Sequence, residues 1–188
     1  MDVQMASDED ITKLMLCLET SDDPAEIDAL LTLYPLDPRL HFMRGSLLAG
    51  ISRNAEAHIA MKKAVELAPG FAIARYQLGF FELTSGEAEQ ALSTWGPLLT
   101  APQDNYLRVF VEGMVHMIRD EFASAIEKFE AGLALNSENQ PLNNDIRLLI
   151  GELTKLAENS ATPGADDDGD HSATSLLLGQ LTGIRTIN

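Results

Sequence analysis

The chain of 188 residues carries four histidines, His41, His58, His116 and His171, and one cysteine, Cys17. A hydrolytic zinc site would need two histidines one helical turn apart in an H-E-x-x-H run. No such spacing occurs, and Cys17 has no Cys or His partner at zinc-ligand spacing. A single thiol also excludes an intramolecular disulfide, and its place on an apolar stripe with Leu14 and Leu18 predicts a buried, inert group. Glu82 and Glu112 could form a carboxylate pair for acid–base work, but on repeated helices they are expected to be structural. There is no G-x-x-x-x-G-K-[ST] run to cradle phosphate and no G-x-S-x-G nucleophile turn. Asp166, Asp167, Asp168 and Asp170 suggest calcium. Aligning Gly169 with the glycine of a calcium loop, however, puts Gly164 and Ser175 at the end positions, where Asp and Glu are required. The sequence thus predicts no catalytic residue, no metal and no cofactor: a protein that is not an enzyme.

What must be positioned is therefore a surface. The net charge is −16, with 45% apolar and 6% aromatic residues, which suits one domain with a core plus some tail and favours small-residue helix packing over a β-sandwich. The negative excess argues against nucleic acid or an anionic membrane as partner. The opening MDVQMASDED is acidic where a secretory signal is basic and then apolar, and no stretch approaches 18 apolar residues. A soluble, cytoplasmic protein is expected. Residues 1–37 hold ten acids and one Lys, whereas 38–140 hold twelve acids and nine bases. This N-terminal concentration reads as a solvated face, with an electrostatic dock for a basic partner as the alternative.

Four columns of residues recur at 34-residue spacing: Gly45, Gly79 and Gly113; Ala57, Ala91 and Ala125; Met61, Trp95 and Phe129; Ala64, Leu98 and Gly132. Each unit reads as two amphipathic helices, about 72–84 and 87–100 in the middle one, broken at Ser85-Gly86. Pro35, Pro69-Gly70, Pro102 and Asn136-Ser137 separate the units. Glycine and alanine mark close helix crossings, where a larger side chain would push the axes apart. The large Met61/Trp95/Phe129 column is expected to fill the space beside each crossing.

In these residues the chain resembles the tetratricopeptide repeat (TPR) family. Leu78, Gly79, Gly86, Ala91 and Trp95 match its pattern in the middle unit, Gly113, Phe122, Ala125 and Phe129 in the third, and Gly45, Ala57, Ala64 and Pro69 in the first. The resemblance implies an all-α fold, a right-handed superhelix of antiparallel helix pairs, with about three repeats over 38–137. Residues 1–37 would form a degenerate N-terminal pair, with helices at about 8–19 and 24–34 and Asp23-Pro24 capping the second. Residues 138–158 would supply a capping helix, its exposed side carrying Asn143, Asn144, Arg147, Glu152 and Lys155.

The same resemblance implies that the first helix of each repeat lines a concave groove. The positions carried over are Phe42 and Met43; Ile73, Tyr76, Gln77, Phe80 and Leu83; and Leu107, Phe110, Val111, Met114 and Met117. Where the family's carboxylate clamp has Lys, Arg and Asn, this chain has Phe42, Tyr76, Phe80, Phe110 and Met114, so an apolar or amphipathic segment of another protein is the expected ligand. Positions that the family buries hold His41, Arg44, Arg75, Glu82, Glu112 and His116. Pairing across helices is expected, with Arg44 and Arg75 near Glu82 and Glu112. The alternative is a rotation of the first helices, which would turn part of the groove into core.

Residues 159–172 lack apolar periodicity and read as a disordered acidic linker. Residues 173–188 regain hydrophobicity, and Leu176, Leu177, Leu178, Leu181 and Ile184 could form one face too short to be a stable helix alone. That tail is expected to dock, in the groove of its own or a neighbouring molecule. The functional expectation is a non-catalytic adaptor or holding chaperone. One alternative is similarity to the small TPR chaperones of bacterial type III secretion; another is a self-associating module, a homo-oligomer with its tail in the groove.

Overall fold

The computed structural model describes residues 4–18 and 20–160. Among these residues the fold is all-α, with no strands: α1 (Asp8–Leu18), α2 (Ala25–Leu33), α3 (Pro38–Gly50), α4 (Asn54–Leu67), α5 (Ala72–Thr84), α6 (Ala88–Trp95), α7 (Tyr106–Ile118), α8 (Phe122–Leu135) and α9 (Gln140–Ser160). The helices pair as a TPR-like helical repeat, with α3 packed on α4 and α7 on α8. The expected helix bounds hold within a few residues, with one exception. The helix expected over 87–100 stops at Trp95 and tightens into a 3-10 turn over Gly96–Thr100. Pro97 has no N–H to continue the α-helical ladder, so the chain closes with shorter-range bonds.

The chain divides between Phe81 and Glu82, inside α5, into two compact units. In the N-terminal unit, Ala6, Leu14, Ile27 and Leu40 form one buried cluster, with Leu30, Tyr34, Met43 and Leu47 packed against it. A second cluster joins Leu48, Ala57, Met61, Leu78 and Phe81. In the C-terminal unit, α8 packs on α9, which buries Leu142, Ile146, Leu149 and Leu153, a stripe at helical spacing.

Helix ends follow local chemistry. Ser7 and Asp10 close a reciprocal cap on α1: the Ser7 hydroxyl accepts from the Asp10 amide at 3.1 Å, and the Asp10 carboxylate accepts from the Ser7 amide at 3.3 Å. Asp23 accepts from the Ala25 amide at 3.0 Å, the capping role expected for it. The turns inside the three repeats share one design. Ser52, Gly86 and Asp120, 34 residues apart, each adopt positive φ, at 61°, 86° and 57°. Around each, the following amide reaches back five residues, Arg53 to Leu48, Glu87 to Glu82 and Glu121 to His116, at 2.9–3.0 Å. The positive-φ residue itself bonds three residues back. These are Schellman caps, which satisfy the last carbonyls of the first helix and turn the chain into the second.

Candidate interaction surface

The repeat columns meet as close packing demands. A Cβ on Gly45 would sit 2.5 Å from Met61 Cγ and 3.2 Å from the Ala57 carbonyl oxygen, so the glycine, alanine and large-residue columns converge at the α3–α4 crossing. At the α7–α8 crossing, a Cβ on Gly113 would sit 2.6 Å from the Phe129 ring, and one on Gly132 would collide with the Phe110 ring. Both helix pairs are thus locked by a large side chain against glycine, Met61 at α3–α4 and two phenylalanine rings at α7–α8, with backbones closer than any larger residue allows.

That packing corrects the groove assignment on α7. Phe110 lies between α7 and α8 and has no exposed surface, and Val111, Met114 and Met117 are equally enclosed; Leu107 is buried too. α7 keeps one polar face, Arg108, Glu112 and His116, and buries most of the rest of its surface. The rotation alternative therefore describes this helix better than a wet groove does. On α5, Tyr76 and Leu83 are buried as well. On α3, Met43 is half-buried against the first core cluster. What remains partly exposed from the groove list is Phe42 on α3 with Ile73, Gln77 and Phe80 on α5, all in the N-terminal unit. Ile73, Gln77 and Phe80 fall at i, i+4 and i+7 and so share one face of α5. Phe42 meets Phe71, just before α5, edge to face at 5.3 Å between ring centroids. The tail positions Leu176, Leu177, Leu178, Leu181 and Ile184 lie outside the described residues, as do His171 and the 166–170 aspartates.

Charged residues at family-buried positions are paired, but with partners nearer in sequence than expected. Arg44 donates to Asp28 at 2.6 Å and lies 3.8 Å from Glu56. Glu112 accepts from Arg108 at 2.9 Å and from Lys128 at 2.7 Å, tying α7 to α8. Burial pushes the Glu112 carboxyl up, and the hydrogen bonds from Lys128 and Arg108 outweigh it, holding the group below the usual carboxylate range. His41 Nε2 meets the Pro35 carbonyl at 2.8 Å, and His116 pairs with Glu121. His58 stacks on Phe81. Among the described residues no group of three or more His, Cys, Asp or Glu is placed to hold a metal. Cys17 is exposed, not buried as its apolar neighbours suggested, because it sits in the last turn of α1 while Leu14 faces the core.

Two polar clusters escaped the sequence reading. Asp37 is fully buried: it caps α3 by accepting from the Arg39 amide at 2.9 Å, and it also accepts from the Ala6 amide at 3.0 Å and from the Arg39 guanidinium at 2.9 Å. Arg39 in turn donates to the Ala6 carbonyl at 2.6 Å, so the pair pins residues 6–8 onto α3. Burial would raise the Asp37 carboxyl, but the Arg39 and Ala6 donors hold it below its ordinary value. The Asp37-Pro38 step, like Asp23-Pro24, was the available signal. The second cluster corrects the face assigned to Asn143, which is buried. Its amide donates to the Asn136 carbonyl at 2.8 Å, and Asn136 Nδ2 donates to Asn143 Oδ1 at 2.9 Å. Asn144, Arg147 and Lys155 do lie outside.

No protein-family model matches the chain, and no curated protein sequence matches it. Among solved structures it is similar to MamA, residues 41 to the end, from Desulfovibrio magneticus RS-1. The identity is 15%, the TM-score 0.53, and the match covers 83% of this chain and 99% of that one. At this identity the likeness concerns the fold, and it agrees with the helical-repeat reading taken from the 34-residue columns. No described helix is long and apolar enough to cross a membrane.

Proposed function

We propose that the protein is a non-catalytic interaction module, an adaptor or holding chaperone, that takes an apolar or amphipathic segment of a partner protein on the face of α5 carrying Ile73, Gln77 and Phe80, beside Phe42. The observation that carries this reading is selective exposure. The repeat columns fill the helix crossings and α7 buries its groove positions Leu107, Phe110, Val111, Met114 and Met117, yet the α5 stripe of Ile73, Gln77 and Phe80 stays partly open. Apolar surface covered by a partner is worth roughly 25 cal/mol per Å², less the cost of ordering the bound segment. Gln77 supplies a donor and an acceptor that can fix the register of an incoming backbone. Because the contact is apolar, its strength is expected to change little with moderate salt.

Affinity capture from native lysate tests this. Wild type should retain a defined partner that Ile73→Glu loses and Leu148→Glu keeps, with both variants melting like the wild type. Equal retention by Ile73→Glu would overturn the assignment of the surface.

A further inference from the structure

Asp37 and Arg39 hold Ala6 by more contacts than a helix cap requires. Capping α3 takes one carboxylate oxygen, and Asp37 Oδ1 fills that role by accepting from the Arg39 amide. The second oxygen, Oδ2, belongs to a fully buried side chain and accepts from the Ala6 amide at 3.0 Å and from Arg39 Nη2 at 2.9 Å. The same Nη2 donates to the Ala6 carbonyl at 2.6 Å, and Nη1 donates to the Asp8 carboxylate at 3.2 Å. Both backbone groups of one residue are thus bonded to one aspartate–arginine pair. The Ala6 methyl lies in the buried cluster with Leu14, Ile27 and Leu40, while Gln4, Met5 and Ser7 on either side are exposed.

We propose that Asp37, Arg39 and the pocket around the Ala6 methyl form a peptide-binding site, that residues 6–8 are its resident occupant, and that a segment of a partner protein takes their place. The contacts define the ligand class. A small apolar side chain enters the pocket, its own amide and carbonyl meet Asp37 and Arg39, and an acid two positions on meets Arg39 Nη1. A close-packed pocket that encloses a methyl admits little more, which selects against long side chains at that position. The resident segment is gripped at one buried residue between exposed neighbours. The cap between Ser7 and Asp10 keeps α1 intact when Ala6 leaves, so the opening is local. An emptied site leaves a buried carboxylate oxygen and a guanidinium short of their backbone partners, and a matching peptide restores those bonds. This binding does not depend on the α5 surface.

Peptide binding to the full-length chain tests it. The probe is a fluorescein-labelled peptide with the sequence of residues 4–10, Gln-Met-Ala-Ser-Asp-Glu-Asp. In the chain, Ala6→Glu sets a carboxylate against Asp37 and the apolar cluster and so evicts the resident segment. That variant should bind the probe about tenfold more tightly than wild type, because its site no longer has to be vacated first. Adding Arg39→Gln should remove the gain, as should a probe that itself carries Ala6→Glu. The wild-type chain supplies a second measurement that needs no variant to fold. Excess unlabelled peptide should speed hydrogen exchange at the chain's own Ala6 amide several-fold and leave the Leu48 amide, inside α3, unchanged. Equal probe affinity for wild type and Ala6→Glu, or a gain indifferent to Arg39→Gln, would overturn the proposal. So would Ala6 exchange that ignores the peptide, or an equal acceleration at Leu48.

Discussion

The ring of Phe110 occupies the space in which Gly132 would carry a side chain. That contact decides how α7 sits: an aromatic residue that the repeat pattern could have offered to a partner is spent on a helix crossing. The helices approach so closely there that a single methyl has nowhere to go. Gly113 makes the reciprocal contact with Phe129, so the α7–α8 pair is fixed by two glycine–ring contacts.

Gly132→Ala and Gly113→Ala should therefore each destabilise the protein by about 1–3 kcal/mol, the usual cost of overpacking a tight core. Gly151 on α9 has no atom near its would-be Cβ, and Gly151→Ala should stabilise by up to about 1 kcal/mol through helix propensity. Denaturant melts of the three variants check the sign as well as the size. A destabilised Gly151→Ala or a neutral Gly132→Ala would contradict the packing described.

The three Schellman turns carry a glycine only at Gly86; Ser52 and Asp120 hold the same left-handed conformation with a side chain attached. Ser52→Gly and Asp120→Gly should each stabilise by about 0.5–1 kcal/mol, the relief of left-handed strain less the added freedom of the unfolded chain. Gly86→Ala should lose about 1 kcal/mol for the opposite reason. Thermal denaturation of the three variants side by side reads this directly.

The repeat was legible because a close helix crossing leaves so few choices. Only glycine fits at Gly45 and Gly113, a small residue sits at Ala57 and Ala125, and a large side chain fills the space beside them. Repeating the crossing therefore repeats the letters. The rotation of α7 was legible only as an alternative, because its one polar face, Arg108, Glu112 and His116, could equally be explained by charge pairing across helices. Asn143 misled for the converse reason. An amide on an amphipathic helix reads as solvent-facing unless its partner is seen, and Asn136 precedes the helix in the turn. Asp37 hid behind an ordinary capping role, since its contact with the Ala6 amide spans 31 residues.

The acid sensitivity of the fold should trace to Asp37 and Glu112. Both carboxyls are held below their ordinary values in the folded chain, so each contributes stability that is complete above the unfolded-state value. That contribution fades as pH falls through the lower, folded value. Asp37→Ala should cost about 2–3 kcal/mol at neutral pH, since hydrogen bonds to a buried charged group are lost, and should flatten the loss of stability on acidification. Denaturant unfolding measured from neutrality down through the carboxylate range checks both. An unaltered acid profile in Asp37→Ala would remove Asp37 from this role.

The most direct test of the interaction surface replaces Ile73 with a photo-crosslinking amino acid in the full-length chain, with Leu148 replaced in a parallel control, and irradiates native lysate. The account predicts a discrete cross-linked partner from position 73, mapped to an apolar or amphipathic segment, and none from position 148. The same adducts from both positions, or none from position 73, would contradict it.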